Sequence, residues 1–430
     1  MPRGTQFILE AFSPSRDSYD ADKLKYHGLR DAFKNYSIPG IIKKSSSVLA
    51  LQKPVPGIDK LKQELNNAYL INASYRLQKS FFPLNKLIWS KVFTLASVRM
   101  FGRPMTNEVA ALAAAELVRF ENAKLLLDNT SDFVDPLIEV YNSLVNDNLT
   151  ASGSIDRRYA LLLTDIKNYF ETEYQEVFAC FDGYPSAGHF NPRDVQLSFI
   201  AALKKLQERN PAWAAWTVAT NDTARLSVNP ETKQILIGSY RAPVKRRHIK
   251  GLFAHEVLVH AQRALNGEAI APELAEGLPN YLIAEEGFGV LAEAAINQSI
   301  PEKIRDRYID IALALGKRWR RPVTREMLYT ICYRRAVVRS VLEGREINLD
   351  NLELITWEHI NRIYRGSLGN KYVGVFTKDI AYYQGFVKII KYFEVARVSG
   401  ELHEKIIYSL QGKFDPTKKQ HRERVKLLTK

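Results

Sequence analysis

The chain has 430 residues, of which 46% are hydrophobic and 25% are charged. This composition is that of a folded globular protein and excludes a largely disordered one, and the length suffices for one large domain or two. The formal net charge of +14 is the unusual property of the composition. A surface of that sign attracts polyanions, so it favours an acidic peptide, a nucleic acid or an anionic membrane as partner without deciding among them.

The cysteines and the apolar segments bear on the cellular compartment. Cys180 and Cys332 are the only cysteines, which excludes a disulfide framework and is typical of reduced thiols. Residues Met1–Asp20 lack the apolar core of a secretory signal, and no run approaches the roughly 20 apolar residues that span a bilayer. We therefore expect a cytoplasmic protein without a membrane span.

The first half of the chain is predicted to be helical. Residues 1–57 form a lead-in interrupted by proline and glycine, and helical periodicity then dominates residues 58–205. Within this helical region, Thr106–Asp128 and Arg157–Phe181 have the strongest patterns, and Thr106 can cap the first of these two helices. This part of the chain is therefore expected to contribute helices.

A short segment of β character follows, at the start of a region that we predict to be catalytic, residues 206–400. Turn signals separate three short apolar or β-branched runs: Trp216–Thr220, Leu226–Val228 and Gln234–Ile237. Such runs indicate a small antiparallel sheet of two or three strands. The fold class is therefore α+β and mostly helical.

Helices are expected again after the sheet. One helix is predicted from about Val244 to Asn266, where Gly267 ends it, and a second one covers about Asn280 to Gln298. Residues 401–430 are rich in lysine and arginine and are predicted to be a solvated basic tail.

The helix that follows the sheet carries the sequence HEVLVH, residues His255–His260. Neutral imidazoles and a carboxylate are the ligands of a catalytic zinc ion, and a carboxylate beside a ligand can act as general base. The two histidines are five positions apart, whereas the familiar HExxH motif places them four apart. Because five steps of a regular helix turn the chain by about 140° from the first histidine, we predict that the helix widens into a π-type turn that brings both imidazoles to one face. This HExxxH helix predicts one zinc ion per chain in a zincin-like catalytic part, bound by His255 and His260, with Glu256 as general base.

The third ligand is expected to come from the next helix. Glu286 is the preferred candidate because a helix-loop-helix can return it to the histidines, and the competing carboxylates are Glu285, Glu276 and Glu273. Glu293, farther along the same helix, could orient a ligating imidazole. His248 is expected to lie at the surface.

Three blocks of the sequence resemble a known family. The first is Phe253–Gly267, the second is Ala284–Glu293, and the third comprises Tyr364–Gly366, Phe376–Asp379, Tyr382 and Gly385. In this order and spacing they are similar to the HExxxH helix, the Q/E-E-G-L-A block and the R-G…F-x-K-D-x-x-Y-x-x-G block of the QEGLA-motif proteins of bacteria. That family is related to the microtubule-associated tyrosine carboxypeptidases of animals.

The resemblance implies a carboxypeptidase whose zinc ion is held by two histidines and a glutamate. Carried over by position, His255, His260 and Glu286 would be the metal ligands and Glu256 the general base. The chain departs from the family at Phe288 and Gly289, which replace Leu-Ala, and at Leu258, where many members have glycine. These changes remove no ligand but can reshape the pocket.

A carboxypeptidase must recognise a free α-carboxylate, for which a guanidinium or an ammonium group is the usual device. Arg365 and Lys378 are the preferred candidates because they fall in the third block, and Tyr382 could donate a hydrogen bond to the developing oxyanion. Other arginines remain possible: Arg241, Arg263, Arg334 and Arg335.

These observations together predict a zinc metallocarboxypeptidase that removes a residue from a peptide or protein C-terminal tail. The positive charge would suit an acidic tail, and no nucleic-acid-binding motif is present. Two alternatives remain. The former keeps the metal without the peptidase: a zinc hydrolase of another amide, or a protein whose metal site is regulatory. The latter is a non-enzymatic basic protein that binds polyanions. Cleavage of amidated peptides would favour the former, and polyanion binding that falls steeply with salt would favour the latter.

Overall fold

The computed structural model describes most of the chain from residue 101 onward. The described residues are 98, 101–126, 131–145, 158–183, 188–222, 226–316, 323, 325–342, 352, 355–356, 359–360, 362–364 and 375–429. The predicted lead-in, residues 1–57, lies outside them, as does Arg365 among the predicted site residues.

Helices predominate among the described residues. In chain order these helices are α1 Thr106–Leu126, α2 Ser131–Asn142, α3 Ala160–Glu173, α4 Gln175–Ala179, α5 Pro192–Arg209, α6 Arg246–Phe253, α7 Gln262–Ile270, α8 Pro272–Glu276, α9 Leu282–Asn297, α10 Glu302–Ala314, α11 Arg325–Leu342, α12 Ile380–Val398, α13 Leu402–Ser409 and α14 Lys419–Leu428. A π-helix, Ala254–Ala261, joins α6 to α7, and 3-10 turns cover Pro211–Ala215 and Thr377–Asp379. The strands are β1 His189–Phe190, β2 Thr217–Asn221, β3 Leu226–Asn229, β4 Gln234–Gly238 and β5 Val244–Lys245.

The chain forms two compact units, each assembled from two separate segments. Unit 1 consists of Met1–Ser152 and Arg305–Ile380, and unit 2 of Gly153–Ile304 and Ala381–Lys430. The domain boundaries predicted from the sequence follow chain order and stay predictions. The two contact units show that segments distant in sequence pack together.

In unit 1, α1, α2 and α11 pack against one another. Phe120 of α1 meets Tyr141 of α2 edge to face, with ring centroids 5.0 Å apart, and both rings are fully buried. The buried Arg335 of α11 is paired with Asp310, and its Nη1 donates to the Tyr141 hydroxyl at 2.6 Å. Paired burial of this kind satisfies a charge that would otherwise be costly in the core.

Unit 2 contains the sheet. Strands β3 and β4 form the predicted antiparallel hairpin, and β1 pairs antiparallel with β5. The expectation of a purely antiparallel sheet is wrong at one pair, since β2 lies on the other side of β4 and runs parallel to it. A parallel neighbour needs a crossover connection, and here the chain passes through β3 before it enters the centre of the sheet as β4.

The helices of unit 2 surround α9, in which every residue from Ala284 to Ile296 is buried. The π-helix, α6 and α3 all pack against α9. Helix α6 approaches closely because Gly251 has no side chain: a Cβ there would lie 2.6 Å from the Asn297 side chain. A helix buried on all sides is normally apolar, so three glutamates within α9 demand partners.

The C-terminal segment corrects the sequence prediction. Residues 401–430 are basic, but they do not form a solvated tail, because α13 and α14 are ordered helices and Phe414 and Val425 are buried against Leu274 and Leu278. The few apolar anchors in this segment outweigh its charge, because long basic side chains can extend to solvent over an apolar contact.

The predicted fold class is confirmed. The described residues are mostly helical with a small sheet, as an α+β class requires. The predicted helix end at Gly267 is wrong: α7 continues to Ile270, and Gly267 is needed because a Cβ there would collide with the backbone of Leu274 and Ala275. None of the described helices combines the length and hydropathy needed to cross a membrane.

Candidate metal centre

The histidine helix is widened, as the spacing predicts. Residues Ala254–Ala261 form a π-helix between two α-helical segments. An i→i+5 hydrogen-bonding pattern brings residues five positions apart onto one face, which a regular α-helix cannot do. The imidazoles of His255 and His260 consequently lie side by side, with ring centroids 4.9 Å apart and planes inclined by 67°.

Glu286 of α9 completes a group of three side chains that could hold a metal ion. One potential ligand atom from each of His255, His260 and Glu286 lies within 4.8 Å of the other two. The closest approach between the two helices in this group is 3.7 Å, from His260 Nε2 to Glu286 Oε2. Tetrahedral ligands at about 2.0–2.1 Å from a zinc ion lie roughly 3.3 Å apart, so this separation suits a shared ion.

A carboxylate of α9 contacts each imidazole from the far side. His255 Nδ1 lies 3.1 Å from Glu293 Oε2, and His260 Nδ1 lies 2.8 Å from Glu285 Oε1. If each Nδ1 donates its proton to the carboxylate, each Nε2 keeps its lone pair for a metal ion. The donor set of two imidazole nitrogens and a carboxylate oxygen therefore fits zinc, and the three glutamates of α9 all have partners.

The charges at this centre are strongly coupled. Burial alone would lower the pKa of His255, but its hydrogen bond to Glu293 and the neighbouring carboxylates outweigh burial and raise that pKa. Burial would raise the pKa of Glu285, but the Arg263 guanidinium and His260 hold it at about 2. Glu285 is therefore an anion, with Arg263 bound to one carboxylate oxygen and His260 to the other.

Arg263 connects the metal centre to the C-terminal segment. Its side chain is fully buried, its Nη1 pairs with Glu285, and Nε and Nη2 donate to the carbonyl oxygens of Gly412 and Phe414 at 2.8 and 2.5 Å. Lys413, between these two residues, is 7% exposed, and its charge acts on Glu285 and Glu286. Residues 412–414 thus hold Arg263 in position, and Arg263 in turn holds the carboxylate of Glu285.

Glu256 adjoins His255 and is half-buried. Burial raises the pKa of its carboxyl group, and the charges of His255, His260 and Arg241 offset part of that rise. A partly accessible carboxylate with a raised pKa beside a metal-binding group suits general base chemistry.

Comparison with known protein families found a match. Residues 182–314 match the profile of a family described as Microtubule-associated tyrosine carboxypeptidase. This part of the chain is related to that family. The match contains both histidines and all three glutamates of the centre, together with Arg241 and Arg263, and the third block of the predicted resemblance lies beyond it. Comparisons with curated proteins and with solved structures found no match.

The departures from the expected family pattern are all at buried positions. A Cβ on Gly289 would lie 2.7 Å from Cδ2 and Nε2 of His255, so glycine leaves space for this imidazole. Phe288 is buried between the Phe393 ring, with centroids 5.3 Å apart, and the Arg263 guanidinium. Leu258 is fully buried. Gly289 therefore packs against His255, and Phe288 packs against Arg263.

The residues predicted to bind a carboxypeptidase substrate are less completely placed. Arg365 lies outside the described residues, and Lys378 is half-buried in the 3-10 turn of unit 1. Tyr382 is half-buried on α12, one turn before Gly385, whose backbone touches Gly287 of α9. Their roles stay predictions.

The competing ligands have other positions. Glu276 is exposed, and both carboxylate oxygens of Glu273 pair with Arg424. Arg335, considered for carboxylate binding, is paired with Asp310 in unit 1. His248 is half-buried within α6, and burial lowers the pKa of its imidazole.

Sequence reasoning missed the roles of Glu285 and Lys413, and it named Arg263 only as a possible substrate ligand. The sequence indicates Glu285 only as a candidate ligand, because it does not show which of two adjacent glutamates faces the histidines. It places Lys413 in the basic tail. The signal for both is a buried charge, which a sequence cannot display.

A second group of potential ligands occurs in unit 1. One atom each of Asp310, Cys332 and His359 lies within 4.8 Å of the others. Arg335 donates to both Asp310 oxygens, at 2.8 and 2.7 Å, and burial raises the pKa of the Cys332 thiol well above its usual range. A guanidinium inside the group and a protonated thiol both oppose a metal cation, so we assign these residues to a structural ion-pair network.

Proposed function

We propose that the chain is a zinc-dependent carboxypeptidase. The observation that carries the proposal is the convergence of His255, His260 and Glu286 beside Glu256, in a segment related to a family described as a carboxypeptidase. A bound zinc ion would supply Lewis acidity that polarises the terminal peptide carbonyl. His255, His260 and Glu286 would hold one such ion per chain.

Glu256 acts as the general base in this proposal. It accepts a proton from the water that attacks the carbonyl carbon of the last peptide bond, and it delivers that proton to the amine as the carbon–nitrogen bond breaks. Glu293 and Glu285 keep the imidazoles oriented by binding their Nδ1 protons. Tyr382 is the predicted donor to the developing oxyanion, and Arg365 and Lys378 are the predicted cations for the substrate carboxylate.

The proposed substrate is the C-terminal tail of a peptide or protein. The family description names tyrosine, so a C-terminal tyrosine is the first residue to test. A net charge of +14 would steer acidic tails toward the protein more than neutral ones. In this proposal the protein acts in the cytoplasm, without a nucleic-acid partner and without a membrane span.

The proposal is tested with zinc-loaded full-length protein and peptides that end in tyrosine, phenylalanine or glutamate. Mass spectrometry is expected to detect release of a single C-terminal residue, and Glu256→Gln is expected to lower kcat by about 10²–10⁴-fold while it retains zinc, because a general base contributes that much. The matched control is Glu268→Gln, an exposed glutamate paired only with Lys233 among the described residues. Cleavage at internal bonds at equal rates, no cleavage at all, or full activity of Glu256→Gln would contradict the proposal.

A further inference from the structure

Arg241 is a half-buried cation whose hydrogen bonding is incomplete. It lies in the turn after β4, where its backbone N–H donates to the Gly238 carbonyl at 3.1 Å. Its Nε atom is buried and has no hydrogen-bond partner within the described part of the chain. A guanidinium remains charged at every physiological pH, and an unsatisfied buried donor is costly, so such a group is uncommon in a native protein.

The buried arginines of the described residues show how such a cation is normally paired in this protein. Arg263 binds Glu285 and two carbonyl oxygens, Arg335 binds both oxygens of Asp310, and Arg339 binds Asp306 and Glu116. Each has a carboxylate within hydrogen-bonding distance. Arg241 differs from all three, which indicates that its partner arrives with a ligand.

Strand β4, which ends three residues before Arg241, packs against the π-helix of the candidate metal centre, and charges of that centre act on the Arg241 guanidinium. Those charges belong to Glu256, the proposed base, and Glu293, the partner of His255. The interaction is mutual, because the charge of Arg241 also lowers the pKa of both carboxyl groups.

We propose that Arg241 binds the free α-carboxylate of the peptide substrate. This inference rests on the proposed function, in which Glu256 acts on the last peptide bond and the carboxylate is one residue away. A guanidinium presents parallel N–H donors that match both oxygens of a carboxylate, and burial strengthens such a pair. An amide or an internal peptide bond brings no charge, so Arg241 would select chains by their free end.

Lys413 is the nearest rival among the described residues. Its side chain is buried, and its charge acts on Glu285 and Glu286. Its backbone is held on both sides, since its N–H donates to Leu274 and its carbonyl accepts from Leu278. Unlike Arg241, Lys413 has no side-chain atom among the fully buried, unpartnered polar atoms of the described residues, and we assign it to the support of Glu285 and Glu286.

The test measures binding of two probes, acetyl-Ala-Glu-Tyr with a free C-terminus and the same peptide as its C-terminal amide. Calorimetry on zinc-loaded Glu256→Gln avoids turnover, and the acid is expected to bind at least about tenfold more tightly than the amide, as a charge-assisted pair requires. Arg241→Ala in this background should reduce that ratio to about one. Arg241→Gln, which keeps donors and loses the charge, should do the same, and the exposed control Arg193→Ala should leave the ratio unchanged.

Kinetics separate this inference from the proposed function. In the protein with Glu256 intact, Arg241→Ala is expected to raise KM for the free acid by at least about tenfold, with zinc content unchanged. An unchanged acid-to-amide ratio in Arg241→Ala would overturn the inference while residue release by the unmodified protein upholds the function. Loss of the ratio in Lys413→Met, Lys378→Met or Arg365→Gln, with Arg241→Ala unaffected, would also overturn it.

Discussion

The direction of each imidazole at the metal centre depends on the carboxylate bound to its Nδ1 atom. Glu293 serves His255 and Glu285 serves His260, but the two carboxylates differ in their second partner. Glu285 also pairs with the fully buried Arg263, so its removal would leave an unpaired buried charge. Glu293 is the better residue for measuring orientation separately from stability.

We predict that Glu293→Gln weakens zinc binding by about 10- to 100-fold, because a neutral amide holds the His255 imidazole less firmly than a carboxylate does. The dissociation constant is measured by competition with a chelator, with the exposed Glu268→Gln as control. An unchanged zinc affinity in Glu293→Gln would show that this contact does not orient the ligand.

Single residues of the centre differ in how far the sequence predicts them. His255, Glu256 and His260 follow from spacing and from the preference of zinc for imidazole and carboxylate, and the π-helix follows from the same spacing. The choice between Glu285 and Glu286 needs the rotation of α9 about its axis, because adjacent residues point about 100° apart. The unpaired state of Arg241 depends on contacts between distant segments.

At the scale of elements, α9 and α12 meet through their backbones. Gly287 of α9 touches Gly385 of α12, and a Cβ on Gly385 would overlap the Ile283 carbonyl. Because glycine has no side chain, the axes of α9 and α12 can approach closely at this point. The spacing between the two axes sets the distance from α9, which contains Glu286, to Tyr382 on α12.

Gly385→Ala is expected to lower the free energy of unfolding by about 1–3 kcal/mol, because overpacking must push the helices apart. Alanine has a higher helix propensity by about 1 kcal/mol, so any loss is a lower limit for the clash. Denaturant unfolding measures the change. The control is Gly183→Ala, where a Cβ would meet no atom within 4 Å, and equal stability of the two variants would count against the close crossing.

The C-terminal segment is the second element that supports the centre. Asp415 anchors it: its side chain pairs with Lys388 and its backbone N–H donates to His421 Nδ1 at 2.9 Å. An acceptor nitrogen must be unprotonated. Burial and the nearby Lys418 charge lower the pKa of His421 to about 4 from its usual 6.5.

The unfolded chain therefore binds a proton at His421 at higher pH than the folded chain does. The contribution of the neutral His421 imidazole to the free energy of unfolding is complete above about pH 6.5 and is lost as the pH falls toward about 4. We expect a loss of the order of 2 kcal/mol across this window, after allowance for partial solvation. Unfolding measured from pH 4 to 8 should show a smaller slope in His421→Gln, whereas the exposed His189→Gln should keep the slope. Identical slopes in both variants would refute the assignment.

The elements themselves were largely predictable. The strands at Leu226–Asn229 and Gln234–Gly238 and the helix at Leu282–Asn297 lie within a few residues of their predicted bounds because their local patterns are strong. The parallel pairing of β2 with β4 was not predictable, since it depends on which edge of the hairpin is free. The packed C-terminal segment was obscured because charged residues outnumber its apolar anchors.

At the scale of the whole molecule, chain order and spatial order differ. The metal centre belongs to a unit built from Gly153–Ile304 and Ala381–Lys430, and the segment between them contributes to the other unit. A sequence reports composition along the chain, but long-range contacts decide which segments fold together. The predicted contiguous region 206–400 could not anticipate that residues 412–414 hold Arg263.

The central claim is that His255, His260 and Glu286 bind one zinc ion. Its most direct test is the zinc content of the purified full chain by elemental analysis, after equilibration with zinc and removal of the loosely bound metal. The account predicts one zinc per chain for the unmodified protein and for the exposed control Glu276→Gln, and less than about a tenth of that for Glu286→Gln, which loses a charged ligand. Retention of one zinc per chain by Glu286→Gln would contradict the account.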